Sequence, residues 1–166
     1  VYMSVNEEKP RLQAHIAVKT GSRNDPAEPT GLAHYLEHLM FKGTTHFGTT
    51  DVEKEKPYLD EITRRYESYR KLIDPAQRKQ AYHEIDSISQ LAARYNIPNE
   101  YDKLMASIGS EGSNAYTSND VTCYVENIPN NEIENWAKIQ SDRFQNMVIR
   151  GFHTELEAVY EEKNIT

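Results

Sequence analysis

The sequence predicts an α+β fold, a largely antiparallel sheet packed against helices, and three observations carry that expectation. Leu12, Ala14, Ile16 and Val18 alternate with Gln13, His15, Ala17 and Lys19, the period of a strand with one face buried. Between residues 51 and 108 apolar residues recur instead at three and four, the period of helices packing along one stripe. The third pattern, His34-Tyr35-Leu36-Glu37-His38, gathers its polar groups only on a helix. Helices laid on an antiparallel sheet satisfy all three, because each apolar face must be buried against another element.

Taken in order, Val1 to Val5 is a first strand candidate and residues 12–18 a second. A helix follows, with Thr30 as its N-cap after Pro29 and Gly43 as its stop after Lys42. With His34 at zero and ~100° per residue, His38 falls at roughly 40° and Glu37 at roughly 300°. Leu32, Leu36, Leu39 and Met40 fall between about 140° and 240°, an apolar side expected to dock on a core. Tyr58, Ile62, Tyr66, Tyr69 and Ile73 make one helical stripe, and Ala81, Ile85, Ile88, Ala92 and Tyr95 a second. Asp74-Pro75 supplies an N-cap and first-turn proline between them, so the pair reads as an antiparallel helical hairpin. Its tyrosines read as packing surface. A short helix from Asn99 to Ser107 ends at Gly109, strands are expected at Asn114 to Thr117 and Val121 to Glu126, and Asn131 to about Met147 is a helix with Ile133, Trp136, Ala137, Phe144 and Met147 inward. Thr154-Glu155-Leu156-Glu157 is a capping box, so a last helix starts at Glu155 and runs through Val159 towards Ile165. Glu155 and Glu162, seven apart, share one stripe of it, whereas Glu157 and Glu161 point elsewhere.

Composition bounds the function. A chain of 166 residues buries one core, and a net charge of −7 with a pI near 5.4 argues against a general nucleic-acid or anionic-membrane surface. No apolar run approaches the ~20 residues that span a bilayer, and no signal sequence is read in a chain that starts in what looks like a strand, so a soluble protein is expected with its compartment, cytoplasmic or periplasmic, left open. The single cysteine, Cys123, excludes an internal disulfide and reads as a small buried apolar residue. His15, on the other face of its strand, reads as structural or exposed; His46, His83 and His153 lack ligand-spaced partners and read as surface or capping residues. The sequon Asn164-Ile165-Thr166 lies on the expected last helix and is set aside.

Imidazoles at i and i+4 can reach one zinc ion while Glu37 stands beside it as a carboxylate that need not be a ligand. The order H-x-x-E-H reverses the commoner H-E-x-x-H and is the inverzincin signature. Two plainer readings stand beside it: a solvated polar face, and an ordinary acidic helix at the chain's end.

Thr30-Gly31-Leu32-Ala33-His34-Tyr35-Leu36-Glu37-His38-Leu39-Met40-Phe41-Lys42-Gly43-Thr44 resembles the active-site helix of the pitrilysin/insulinase (M16) metallopeptidases. Gly112-Ser113-Asn114-Ala115-Tyr116-Thr117 with Thr122-Cys123-Tyr124 resembles that family's substrate-strand segment, and Glu155 to Asn164 its third-ligand helix. The resemblance implies that His34, His38 and Glu162 bind one Zn2+ per chain, that Glu37 is the general base, and that Glu155 supports the site from behind a ligand. It also implies that Asn114, Ala115 and Tyr116 hold an extended peptide substrate. His38 and Glu162 stand several tens of residues farther apart than is usual in the family, and the excess falls at 51–108, read as a helical insertion that leaves the zinc chemistry untouched. The whole of 1–166 then reads as one incomplete M16 N-terminal catalytic domain, whose partner is a second homologous half in the same chain or in another subunit. The function implied is that of a zinc-dependent endopeptidase of extended peptides. Its rivals are a non-catalytic structural or substrate-presenting subunit, which typically loses the motif, and a metal store, which needs no Glu37.

Overall fold

The computed structural model describes residues 1–5, 8–28, 30–152, 155, 156, 158, 159 and 161. By packing, the chain divides into two compact units, Val1–Glu37 with Tyr101–Gln145 and His38–Glu100 with Asn146–Thr166. The fold is α+β.

The first unit holds an antiparallel sheet of β1 (Arg11–Val18), β2 (Ser113–Thr117) and β3 (Thr122–Pro129), in the order β1-β3-β2. Central β3 runs from Arg11↔Pro129 to Val18↔Thr122 against β1, and from Ser113↔Glu126 to Thr117↔Thr122 against β2. A tight turn, Ser118 N–H to Val121 C=O at 2.8 Å, makes β2 and β3 a hairpin. Val1–Val5, expected as a strand, is not one: all five residues are exposed, and a strand exists only where a partner ladder takes up its backbone groups.

Helices α4 (Glu100–Ser107) and α5 (Ile133–Gln145) complete this unit. Helix α5 buries Gln140 and Arg143 rather than the expected Ile133, Ala137 and Phe144, which are exposed. The reason lies in α4 and β3. Gln140 Nε2 donates to Tyr101 Oη at 3.0 Å, and the Arg143 guanidinium sits 4.6 Å from the ring centroids of both Tyr101 and Tyr124, so polar groups with aromatic partners take the inward face. Tyr101 Oη also donates to Glu126 at 2.5 Å. Burial pushes the Glu126 carboxyl up, only partly offset by its hydrogen bonds from Tyr101 and Ser113.

In the second unit, α2 (Val52–Tyr69) and α3 (Pro75–Ala93) form the expected hairpin. Asp51 accepts from Lys54 N–H at 3.1 Å and Asp74 from Gln77 N–H at 2.8 Å, each capping its helix, with Pro75 in the first turn of α3. Tyr58 stacks near Tyr95 at 6.1 Å and Tyr69 near Tyr82 at 6.3 Å, an inverse order that makes the helices antiparallel. Ile85 and Ala92 are buried as expected, but Ile73 is exposed because α2 has already ended at Tyr69. A cleft of about 640 Å³ opens between the hairpin and residues 147–152, lined by Leu59, Ile62, Tyr66, Ala93, Val148 and Phe152 among others.

The helix that carries the H-x-x-E-H run is α1 (Leu32–Leu39). Asp25 accepts from Gly31 N–H at 2.7 Å and Ala33 N–H at 2.8 Å; a carboxylate reaching both of these donors also suits the positive end of the helix dipole. Beyond Leu39, Phe41 N–H to His38 C=O and Lys42 N–H to Leu39 C=O, both 3.1 Å, carry the chain to Gly43, whose φ of +109° ends it. Leu32 and Leu36, expected to dock inward, are 49% and 45% exposed. Burial falls instead on two flanks, Tyr35 with Leu39 and Ala33 with Glu37 and Met40, which leaves the strip between them outward.

Candidate metal centre

On α1 a nitrogen of His34, a nitrogen of His38 and a carboxylate oxygen of Glu37 lie within 4.8 Å of one another. Spacings of three and four residues put all three on one face of the helix. Two imidazole nitrogens and a carboxylate are the donor chemistry that zinc takes in hydrolytic sites, so this group fits a metal ion.

Within the first unit, Glu37 is only 6% exposed and accepts from Thr117 Oγ1, on β2, at 2.5 Å. Thr117 Oγ1 stands 3.2 Å from Thr122 Oγ1, which in turn donates to the Thr20 carbonyl at 2.9 Å. This chain of hydroxyls fixes the Glu37 carboxylate against the sheet.

Within the second unit, His38 Nδ1 lies 2.8 Å from Glu155 Oε1, and Lys42 Nζ lies 2.5 Å from Glu155 Oε2. An Nδ1–H given to a carboxylate leaves Nε2 as the lone-pair nitrogen, the tautomer a metal requires. Burial pushes the Glu155 carboxyl up, but the hydrogen bonds from Lys42 and His38 outweigh it, and the group is held below the usual carboxylate range. Glu155 is helical, as are Phe152, Leu156, Ala158, Val159 and Glu161 among the described residues, and its N–H donates to the Gly151 C=O at 3.0 Å. Glu162 lies outside the described residues, as do Thr154, Glu157, His153 and Asn164.

Asn114, Ala115 and Tyr116 lie on β2, which among the described residues pairs with β3 alone and so offers its other side as a sheet edge. Ala115 N–H donates to Asn114 Oδ1 at 2.9 Å. Asn114 and Tyr116 are exposed. His46 and His83 are exposed, and Cys123 is buried with its sulfur 3.8 Å from His15 Nδ1.

Sequence reasoning missed four residues. Thr117, though inside the substrate-strand segment, carried no sign that its hydroxyl meets Glu37. Asp25 caps α1 from six residues upstream, beyond the reach of a local capping motif. Arg150 and Glu55 form a buried pair, signalled only by a lone arginine inside the apolar run Met147-Val148-Ile149-Arg150-Gly151-Phe152.

The model of the insulinase family, peptidase family M16, matches residues 1–59. A nardilysin-like protein of Arabidopsis thaliana is 49% identical over 37 residues, which are 22% of this chain and 4% of that protein. An uncharacterized zinc protease of Rickettsia felis is 36% identical over 55 residues, 33% of this chain and 13% of the relative. The crystal structure of a protease from Helicobacter pylori shares the fold with a TM-score of 0.60 at 20% identity, over 95% of this chain and 26% of that one. The chain thus spans a small part of the length of each protein it matches. The H-x-x-E-H helix lies inside the matched stretch, so over residues 1–59 this chain is similar to the insulinase family of peptidases, M16.

Proposed function

We propose that this chain carries the catalytic site of a zinc-dependent endopeptidase that hydrolyses extended or unfolded peptides. The match of residues 1–59 to the insulinase family and the likeness to a zinc protease support a proteolytic, zinc-dependent function at the level of the family. The observation that carries the finer reading is the donor group on α1, with its buried carboxylate seated on Thr117 and its second imidazole backed by Glu155.

In this reading His34 and His38 hold one zinc per chain with Glu162 as the third ligand, and Glu155 fixes the His38 ring. Bound zinc supplies Lewis acidity, which eases deprotonation of water and polarises a carbonyl. Glu37 takes the proton as water attacks the scissile carbonyl and delivers it to the leaving amine. Thr117 keeps the Glu37 carboxylate in one rotamer while this happens. Metal analysis of His34→Ala and Glu162→Gln beside the wild type tests the ligand set: both variants are expected to lose zinc, and unchanged content in both overturns the assignment.

Asn114, Ala115 and Tyr116 hold the substrate in this proposal. An unstructured peptide adds to the β2 edge as an extra strand, through main-chain hydrogen bonds that depend little on side chains. The Asn114 amide oxygen now occupies the Ala115 N–H, so an incoming carbonyl would replace it. Ala115→Pro in the intact protein removes that donor and is expected to weaken cleavage of a flexible peptide while leaving zinc content intact. A folded, zinc-loaded variant that cleaves as well as wild type rules out the edge mode.

Residues 51–108 are proposed as a helical insertion within a single M16-type domain spanning 1–166, and a second homologous half, in the same chain or another subunit, as the partner that completes the cleft. A non-catalytic subunit has less in its favour, because His34, Glu37 and His38 are all present and gather within 4.8 Å on α1. No helix among the described residues is long and apolar enough to cross a membrane.

A further inference from the structure

We infer that Arg150 is a positioning residue for the metal centre, held in that role by Glu55 of α2. The inference rests on the zinc-hydrolase reading of α1.

Glu55 and Arg150 are 0% and 2% exposed and form a two-pronged pair, Nε to Oε1 at 2.7 Å and Nη2 to Oε2 at 2.9 Å. The rest of the guanidinium grips backbone. Nη2 donates to the Thr44 carbonyl at 2.8 Å and Nη1 to the Phe47 carbonyl at 3.4 Å, on a loop closed by Thr44 N–H to Phe47 C=O at 2.8 Å. Two glycines bracket that loop. A Cβ on Gly43 would stand 2.5 Å from the Phe47 oxygen and 2.9 Å from Arg150 Nη1, and one on Gly48, where φ is +91°, 2.6 Å from the Lys42 oxygen. The loop is therefore shut directly against the guanidinium, with no room for an intervening side chain.

This loop is the continuation of α1, five residues beyond His38, and Arg150 lies five residues before Glu155. The segment that carries Arg150 binds the same loop, through Val148 N–H to Gly43 C=O at 3.2 Å and Thr45 N–H to Asn146 C=O at 3.1 Å. Arg150 thus locks the exit of α1 to the entry of the helical segment bearing Glu155, and the 2.8 Å contact of His38 with Glu155 depends on that registry. A planar fork that bonds a carboxylate and two carbonyls at once fixes direction as well as distance, which an apolar filler cannot do. The hairpin, by supplying Glu55, is then a buttress of the metal centre rather than a peripheral addition.

Replacing the pair by apolar side chains in Glu55→Leu/Arg150→Met removes the grip without stranding a buried charge. Two readouts follow in this chain: zinc affinity by chelator competition, and, in the metal-free chain, the His38 Nδ1 resonance that reports its hydrogen bond to Glu155. The expected result is a folded double variant with zinc affinity lowered about 10-fold or more, the range for loss of support behind a ligand, and a His38 signal shifted towards that of an unbonded imidazole. A folded double variant with wild-type affinity and an unchanged His38 signal overturns the inference. Should it not fold, Arg150→Lys decides on the same readouts, because an ammonium can pair with Glu55 but cannot also span both carbonyls. If wild type and His38→Ala bind zinc equally, the hydrolase reading itself falls and this inference with it, an outcome distinct from an unaffected double variant beside a zinc-depleted His38→Ala.

Discussion

Glu37→Gln in the intact protein is expected to keep its zinc and to lose peptide cleavage by at least about 100-fold, because general-base assistance is worth about 10² to 10⁴. Glutamine nearly matches glutamate in shape, and its amide oxygen can still accept from Thr117, so the seat of this buried side chain on β2 survives. What the amide cannot do is take up a proton. The loss is expected in kcat and in kcat/KM alike, with zinc content by metal analysis equal to wild type, since the interaction removed belongs to the transition state. Equal turnover would require a different base, and loss of zinc would place Glu37 among the ligands.

The parts of the fold that were legible in the sequence are those set by local period. The alternation of residues 12–18 gave β1, and the stripes around Asp74-Pro75 gave a hairpin whose caps at Asp51 and Asp74 sit where local chemistry puts them. The grouping of His34, Glu37 and His38 was legible for the same reason, since it depends on nothing but the turn of one helix. Period alone does not say which face a neighbour covers. Leu32 and Leu36 were read as buried and are exposed, and α5 turned Gln140 and Arg143 inward because Tyr101 and Tyr124, far off in sequence, supply partners for them. The contacts Thr117 to Glu37 and Arg150 to Glu55 span 80 and 95 residues, and no window along the chain contains both members. A charged residue inside an otherwise apolar run is the trace such pairs leave, because burial without a partner is so costly that the partner can be assumed.

That cost sets the second large effect. Arg150→Met alone is expected to destabilise the chain by about 3 to 5 kcal/mol, a lowering of the melting temperature on the order of 10 °C, because it leaves the fully buried Glu55 carboxylate without its countercharge. Glu55→Leu alone should cost a similar amount by stranding the guanidinium. The double variant is expected to recover most of either loss, so the cycle of four proteins, followed by thermal or urea unfolding, should return a coupling energy of several kcal/mol. Lys56→Ala supplies the contrast: its pair with Asp60 lies 64% and 65% exposed on α2, and losing it should cost no more than about 1 kcal/mol. Additive losses, with the double variant as unstable as the two singles summed, would mean that Glu55 and Arg150 act through separate neighbours, Arg150 through the carbonyls of Thr44 and Phe47 and Glu55 through α2. The loop after α1 would then be held without the hairpin's help, and the link from residues 51–108 to the metal centre would be broken at its first step.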